Sequence, residues 1–188
     1  MTRAVVLRLL TGSVFVLYPV LVYFGLSVLP PSFFGLLLAL LILPRMIGIR
    51  SGQRLMVLPV TALFVYAIAA AVFGSTQALL YYPAVVNLVM CAVFAGSLFG
   101  DEPLLLRMVR ARGMAMSQHA PAYLRGLTLV WAVFFALNSL VALWTTTRTL
   151  EIWTLYNGLL SYLLVAALMG IEWMYRRRYK RLRGVPDH

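Results

Sequence analysis

The feature that most constrains this chain is the position of its basic residues relative to six long apolar stretches. It has sixteen Lys and Arg residues. If all six stretches cross a membrane, every one of these except Arg148 lies on the same side. Lys and Arg are enriched in the cytoplasmic loops of membrane proteins. Because an even number of crossings puts both ends of the chain on one side, the sequence predicts that both termini are cytoplasmic.

The apolar stretches have the lengths of membrane-spanning helices, which need roughly 20 residues. The second is the least regular, since it is uninterrupted only as far as Pro44 and must continue past Arg45 to complete a crossing. The sequence predicts an all-α, polytopic membrane helical bundle that forms a single integral membrane domain. Its six predicted spans are 9–29, 32–49, 55–73, 78–99, 127–147 and 152–171.

Composition supports this class and excludes others. Hydrophobic residues make up 63% of the chain and charged residues 11%, whereas soluble domains are roughly 45–50% apolar. A net charge of +11 would suggest nucleic acid in a soluble protein. Here the basic residues flank apolar spans, so membrane topology explains the charge and no nucleic-acid partner is predicted.

Two basic segments are predicted at the cytoplasmic face, an amphipathic loop at 101–125 and a tail at 175–188. Asp101, Glu102 and Pro103 are typical of a helix start. Acidic side chains interact favourably with the positive end of the helix dipole, and Pro suits the first helical position. A short helix in the headgroup plane would place Leu104, Leu105, Met108 and Val109 on its apolar face. The residues predicted to contact a protein partner or anionic lipid headgroups are Arg107, Arg110, Arg112, Arg176, Arg177 and Arg178.

Polar residues inside the spans are neutral. No Asp, Glu, Lys, Arg or His lies near the centre of a predicted span, although ionisable groups at that depth usually mark function. The predicted intramembrane polar cluster consists of Asn87, Asn138, Asn157, Tyr82 and Tyr156. Amides in hydrocarbon need partners, so these side chains either join helices or line a polar cleft.

Motifs that would indicate catalysis or cofactor binding are missing from the sequence. Cys91 is the only cysteine, so an internal disulfide and a cluster of Cys ligands are excluded. No catalytic, cofactor-binding or metal-binding residue is predicted. One short repeat occurs, Tyr-Pro-Val-Leu-Val at 18–22 and Tyr-Pro-Ala-Val-Val at 82–86, which fits either an inverted duplication of three helices or chance.

The second half of the chain resembles a known family in three segments. These are YYPAVVNL at 81–88, WAVFFALNSLVALWT at 131–145 and LYNGLLSYLLVAALMGIEWMYRRR at 155–178. They resemble small bacterial inner-membrane proteins encoded among genes for aryl-polyene (xanthomonadin-like) pigments. Trp131, Phe134, Phe135 and Asn138 are also similar, more distantly, to septation protein A. The resemblance implies a multi-pass protein of the bacterial inner membrane with a role in the cell envelope.

Three functions remain open from the sequence. The leading hypothesis is a non-catalytic component of cell-envelope or aryl-polyene lipid biosynthesis that docks cytoplasmic partners, such as acidic acyl carrier proteins, at its basic face. The second is a transporter or flippase for a lipid-like product, with the three Asn residues lining its path. The third is an intramembrane lipid-modifying enzyme that uses residues at the cytoplasmic border, such as Asp101, His119 or Glu172.

Overall fold

The computed structural model describes residues 17–47, 54–113 and 120–182. All regular elements in these ranges are helical. Several sequence predictions fall outside the described residues: the start of the first span with Arg3 and Arg8, the end of the second, His119, and the tail from 183 onward. The side chain of Arg178 is likewise outside the described set.

The helices follow one another with short connections. In chain order they are α1 (17–25), α2 (Pro31–Ile47), α3 (Arg54–Phe73), α4 (Thr76–Ser97), α5 (Leu104–Ala111), α6 (Ala120–Thr145), α7 (Leu150–Leu155), a π-helical turn (Tyr156–Leu160) and α8 (Ser161–Leu182). The helix α2 continues through Pro44 to Ile47, as the predicted second span requires.

Within the described ranges, three segments are long and apolar enough to cross a bilayer: Thr76–Ser97, Ala120–Thr145 and Leu150–Arg177. Two shorter apolar helical segments, Pro31–Pro44 and Val57–Phe73, accompany them. Many large apolar side chains are exposed on these helices, including Leu58, Leu140 and Leu163, as expected where helices face lipid. The chain is a helical membrane protein; six crossings and cytoplasmic termini stay predictions.

A close contact between small residues joins α2 to α3. A Cβ atom added at Gly35 would collide with the backbone of Ala70 and Ala71. Ala67 and Ala70 are buried at the same interface. Small side chains allow helix backbones to approach in a membrane, where dispersion contacts drive helix association. Gly35 and the alanines of α3 therefore fix the α2–α3 hairpin.

The helices α4 and α6 pack antiparallel along most of their length. The Ser139 hydroxyl donates a 2.9 Å hydrogen bond to the Ala84 carbonyl. Towards the other end, Phe94 packs on Trp131 and Phe135. As residue numbers rise along α4 they fall along α6, which sets one register for the pair.

Three contacts attach the remaining elements to α4. The buried indole of Trp153 in α7 donates to the Leu80 carbonyl at 2.9 Å. The Tyr66 hydroxyl of α3 donates to the Ala78 carbonyl at 2.5 Å. The ring of Tyr18 in α1 lies edge-on to Tyr82, with centroids 5.2 Å apart. The first half of α4 is therefore the point at which α1, α3 and α7 meet.

The predicted 101–125 loop differs from the structure at both ends. Pro103 is the N-cap of α5 and not its first helical residue. Leu104 is buried and Leu105 packs on the same cluster, as predicted. Leu106 is also buried and Met108 is exposed, so the predicted apolar face was wrong at these two positions. Packing against α4 and α6 decides which face is buried. Pro121 lies in the first turn of α6, where proline is tolerated, so α6 begins earlier than 127.

The predicted sixth span is longer and less regular than its sequence suggests. It is one helical segment from 150 to 182, interrupted by the π-helical turn. Beyond that turn, α8 is largely exposed along its apolar length. Glu172 accepts a 3.0 Å hydrogen bond from the Tyr123 hydroxyl of α6 and lies 3.7 Å from Arg176. This contact ties the far half of α8 to the start of α6.

Candidate functional site

A cavity of about 350 Å³ lies where the helices converge. Single-ligand sites are typically 300–1,000 Å³, so its size suits a small molecule or part of a lipid. Among the described residues, α1, α2, α3, α4, α6 and the π turn with α8 all contribute to its wall. Its polar lining residues are Tyr18, Tyr82, Asn87, Asn138, Asn157, Ser161 and Tyr162.

A directional chain of hydrogen bonds runs along one wall. The Tyr156 hydroxyl donates to the amide oxygen of Asn138 at 2.6 Å. The amide nitrogen of Asn138 donates to the amide oxygen of Asn87 at 2.9 Å, and the nitrogen of Asn87 donates to the Pro83 carbonyl at 2.8 Å. The structure thus brings three members of the predicted polar cluster into one chain of contacts, about half-way along α4.

Asn157 lies in the same cavity wall but belongs to a separate set of contacts. Its amide nitrogen donates to the Thr145 hydroxyl at 3.1 Å and to the Trp153 carbonyl at 2.9 Å. Asn157 and Thr145 are both buried. A π-helical turn often occurs at functional sites because it re-aims side chains; here it directs Asn157 towards the end of α6 and Tyr156 towards its middle.

Tyr18 contributes the most unusual polar atom of the cavity. Its side chain is 1% exposed, and its hydroxyl has no hydrogen-bond partner in the part of the chain that the structure describes. Tyr82, the remaining member of the predicted cluster, places its ring between those of Tyr18 and Tyr66, with centroids 5.2 and 6.4 Å away. A buried polar group without a partner costs about 1–3 kcal/mol. The cavity therefore holds one hydroxyl whose hydrogen-bonding capacity is unused.

The chemistry of the cavity is that of a neutral hydrogen-bonding site. Each Asn amide carries two N–H groups, and Asn87 and Asn138 each use one of them in the contacts above. Together with the Tyr18 hydroxyl they can donate to a carbonyl or hydroxyl oxygen. No Asp, Glu, Lys, Arg or His occurs in the described lining, so nothing there offsets the charge of an ionised ligand.

The predicted basic residues lie away from the cavity and in two places. In α5, the Arg107 Nε donates to the Glu102 carbonyl at 2.7 Å, and Arg110 forms an ion pair with the Glu102 carboxylate. Arg112 is exposed at the end of α5. In α8, Arg176 pairs with Glu172, and Arg177 lies over the Trp173 ring, 4.0 Å from its centroid.

The acidic residues named in the enzyme hypothesis either bond to neighbouring side chains or are exposed. Glu172 is held by Tyr123 and Arg176. Asp101 is exposed in the turn before α5. His119 lies outside the described residues. Neither described acid lines the cavity, so the structure does not bring them together with the Asn side chains.

Comparison with family models, with curated proteins and with solved structures finds no match for this chain.

Proposed function

We propose that the protein binds an uncharged lipid-like molecule in this intramembrane cavity, as a non-catalytic component of bacterial cell-envelope or aryl-polyene lipid biosynthesis. The observation that carries the proposal is the buried Tyr18 hydroxyl, which has no partner among the described residues while it lines a cavity of about 350 Å³. A ligand oxygen that accepts from Tyr18 removes that penalty.

Three properties of the cavity support an uncharged amphiphile. Most of the lining is apolar, with Pro, Val, Leu, Ile and Phe side chains from several helices. Its donors are neutral amides and hydroxyls. Their position half-way along α4 puts the polar end of the ligand deep in the apolar layer, where an ionised group would be costly. An ester, amide or alcohol on an apolar chain has the required chemistry.

The binding experiment compares two lipids with the same chain. Purified protein in detergent is titrated with 1-palmitoylglycerol or with palmitate at pH 8, and bound lipid is counted by native mass spectrometry. The uncharged lipid should bind at least tenfold more tightly. Equal affinity for palmitate would contradict the neutral site.

Tyr18→Phe tests the hydroxyl itself. Losing one hydrogen bond to a neutral ligand should weaken binding of 1-palmitoylglycerol by about 3–10-fold. Tyr23→Phe is the matched control, because Tyr23 lies on the same helix and is not part of the described lining. If both variants bind as tightly as the wild type, the hydroxyl does not contact the ligand.

The cellular role and transport are tested separately. A deletion strain analysed for membrane lipids and pigment should lose or alter an envelope lipid or polyene product. Reconstituted vesicles show whether binding is followed by movement of the lipid between leaflets. An unchanged lipid and pigment profile would remove the biosynthetic role while leaving the binding result intact.

Docking of a cytoplasmic partner is a second candidate, favoured by the way α5 is held. Leu104 and Leu106 are buried, which directs the exposed Arg110 and Arg112 outward. Acyl carrier proteins are usually acidic and would complement this surface. Pull-down of acyl carrier protein from membranes should be lost in Arg110→Gln/Arg112→Gln; undiminished capture would exclude the surface.

A further inference from the structure

A second, separate space lies on the outside of the bundle between α3 and α4. It is an open groove of about 510 Å³. Leu58, Pro59 and Ala62 of α3 form one wall, and α4 forms the other with its Val89–Ser97 face. The only charged residue in the described lining is Arg107. The groove combines apolar walls with a positive charge at its edge, whereas the polar groups described in the central cavity are all neutral.

Small residues keep the groove open. Ala92 and Gly96 are exposed on α4, and a Cβ added at Gly96 would meet nothing within 4 Å. From Val89 to Ser97 the α4 wall is about 12 Å long at 1.5 Å per residue. One leaflet of the hydrocarbon core is about 15 Å thick. The groove therefore matches much of the depth of a leaflet.

The local fold positions Arg107 at the end of this groove. The buried Ser97 hydroxyl donates to the Phe94 carbonyl at 2.7 Å and accepts from the Leu104 backbone N–H at 2.9 Å. This contact ties the first turn of α5 to the last turn of α4. Arg107 follows one turn later and is held half-buried by its bond to the Glu102 carbonyl.

Among the described contacts, Arg107 uses few of its donors. A guanidinium has five N–H groups, and the Nε of Arg107 uses one of them. The neighbouring Glu102 carboxylate pairs with Arg110 instead, and Asp101 is exposed. The absence of a side chain at Gly100 leaves room for the guanidinium, since a Cβ there would lie 3.0 Å from its terminal nitrogen.

We infer that the α3–α4 groove binds one acyl chain of an anionic membrane phospholipid, with the lipid phosphate on Arg107. The guanidinium fork matches phosphate oxygens in geometry and charge. A zwitterionic lipid offers the same chain but brings a compensating cation to the headgroup. The site is independent of the central cavity, with which it shares none of its described lining residues.

The test measures binding of dioleoylphosphatidylglycerol and dioleoylphosphatidylcholine to delipidated full-length protein by native mass spectrometry. Wild type should prefer the anionic lipid by about tenfold, because the choline cation of phosphatidylcholine offsets much of the attraction between Arg107 and the phosphate that both lipids carry. Arg107→Gln should remove that preference by weakening phosphatidylglycerol binding much more than phosphatidylcholine binding. Arg112→Gln, which removes an exposed charge at the end of the same helix outside the described groove lining, should keep it. Glycerol 3-phosphate should not compete, because it lacks the chain.

A second variant fills the groove and leaves the charge in place. Gly96→Leu should weaken binding of phosphatidylglycerol by about tenfold or more, because its side chain occupies the acyl position. Gly170→Leu is the matched control, since Gly170 also has open space around it but lies in α8. If both Arg107→Gln and Gly96→Leu bind phosphatidylglycerol within twofold of the wild type, or if wild type binds the two lipids equally, the inference is overturned.

Discussion

The amide nitrogen of Asn138 lies 2.9 Å from the amide oxygen of Asn87, 51 residues earlier in the chain, and this bond joins the middle of α6 to the middle of α4. It lies within a hydrogen-bond chain from Tyr156 to the Pro83 carbonyl. The same bond stabilises the helix pair and orients two amides on the cavity wall. The proposed ligand binding would therefore depend on side chains that also hold the helices together.

A double-mutant cycle on this pair should reveal direct coupling. Asn87→Ala and Asn138→Ala should each lower the free energy of unfolding, and the double variant should lose less than the two losses added together. Hydrogen bonds between membrane helices average about 0.6 kcal/mol and reach about 1.7, so the coupling energy should fall in that range. Unfolding in mixed micelles provides the measurement. Strict additivity would show that the bond contributes nothing to stability.

Two tyrosine substitutions should change stability in opposite directions. Tyr18→Phe removes a buried hydroxyl for which the described ranges hold no partner, so it should raise the free energy of unfolding of the ligand-free protein by about 1 kcal/mol. Tyr66→Phe removes a donor to the Ala78 carbonyl and should lower it by about 1 kcal/mol. The comparison uses thermal unfolding in the same detergent. A similar loss in both would mean that the Tyr18 hydroxyl has a partner.

Gly35 and Gly170 should respond differently to the same substitution. Gly35→Ala places a Cβ against the α3 backbone and should lower the free energy of unfolding by about 1–3 kcal/mol, the usual effect of overpacking. Gly170→Ala meets open space and should leave stability unchanged or raise it by up to about 1 kcal/mol through helix propensity. Equal effects would contradict the close α2–α3 contact.

Ser97→Ala should loosen the attachment of α5. The substitution leaves the buried Leu104 N–H without its acceptor, which costs about 1–3 kcal/mol. Hydrogen exchange in α5 should accelerate by about tenfold or more. Ser27→Ala is the control, because that exposed hydroxyl bonds only within its own turn, to the Phe24 carbonyl. Unchanged exchange in α5 would show that Ser97 does not hold it.

The predicted topology is accessible to cysteine labelling. Two variants are made in a Cys91→Ala background. One carries Arg148→Cys, in the turn before α7, and the other carries Arg112→Cys, at the end of α5; both positions are exposed in the structure. A membrane-impermeant maleimide should label the first in spheroplasts and the second only after permeabilisation. Labelling of both positions in spheroplasts would contradict a crossing between them.

Sequence patterns were sufficient for the helical class but not for packing. Uncharged apolar runs predicted α4 and the end of α6 closely, because in a membrane the backbone must satisfy its own hydrogen bonds. They placed the start of α6 at 127, whereas the helix begins at Ala120. The same reasoning placed Leu104 and Leu105 correctly on the packed side of α5 but missed the burial of Leu106. Burial of Leu106 depends on where α6 lies, and hydrophobic periodicity over eight residues does not carry that information.

For the polar cluster, too, the sequence indicated which residues matter but not how they pair. Isolated amides in apolar runs indicated which residues needed partners, whereas the pairing of Asn138 with Asn87 depends on the α4–α6 register. Tyr18 was missed because its significance arises from a cavity formed by distant segments. One sequence signal pointed to it: Tyr18 and Pro19 repeat as Tyr82 and Pro83, and all four line the cavity.

The π-helical turn has a consequence for the angular position of everything after it. Such a turn holds one more residue than an α-helical turn would, and each residue advances a helix by about 100°. Deleting one residue within 156–160 would restore a regular ladder but rotate α8 by that angle about its axis. Glu172 would swing away from Tyr123, and a different stripe of α8 would turn towards the lipid. The π-helical turn therefore determines how α8 is rotated about its own axis, and so which of its side chains face the bundle.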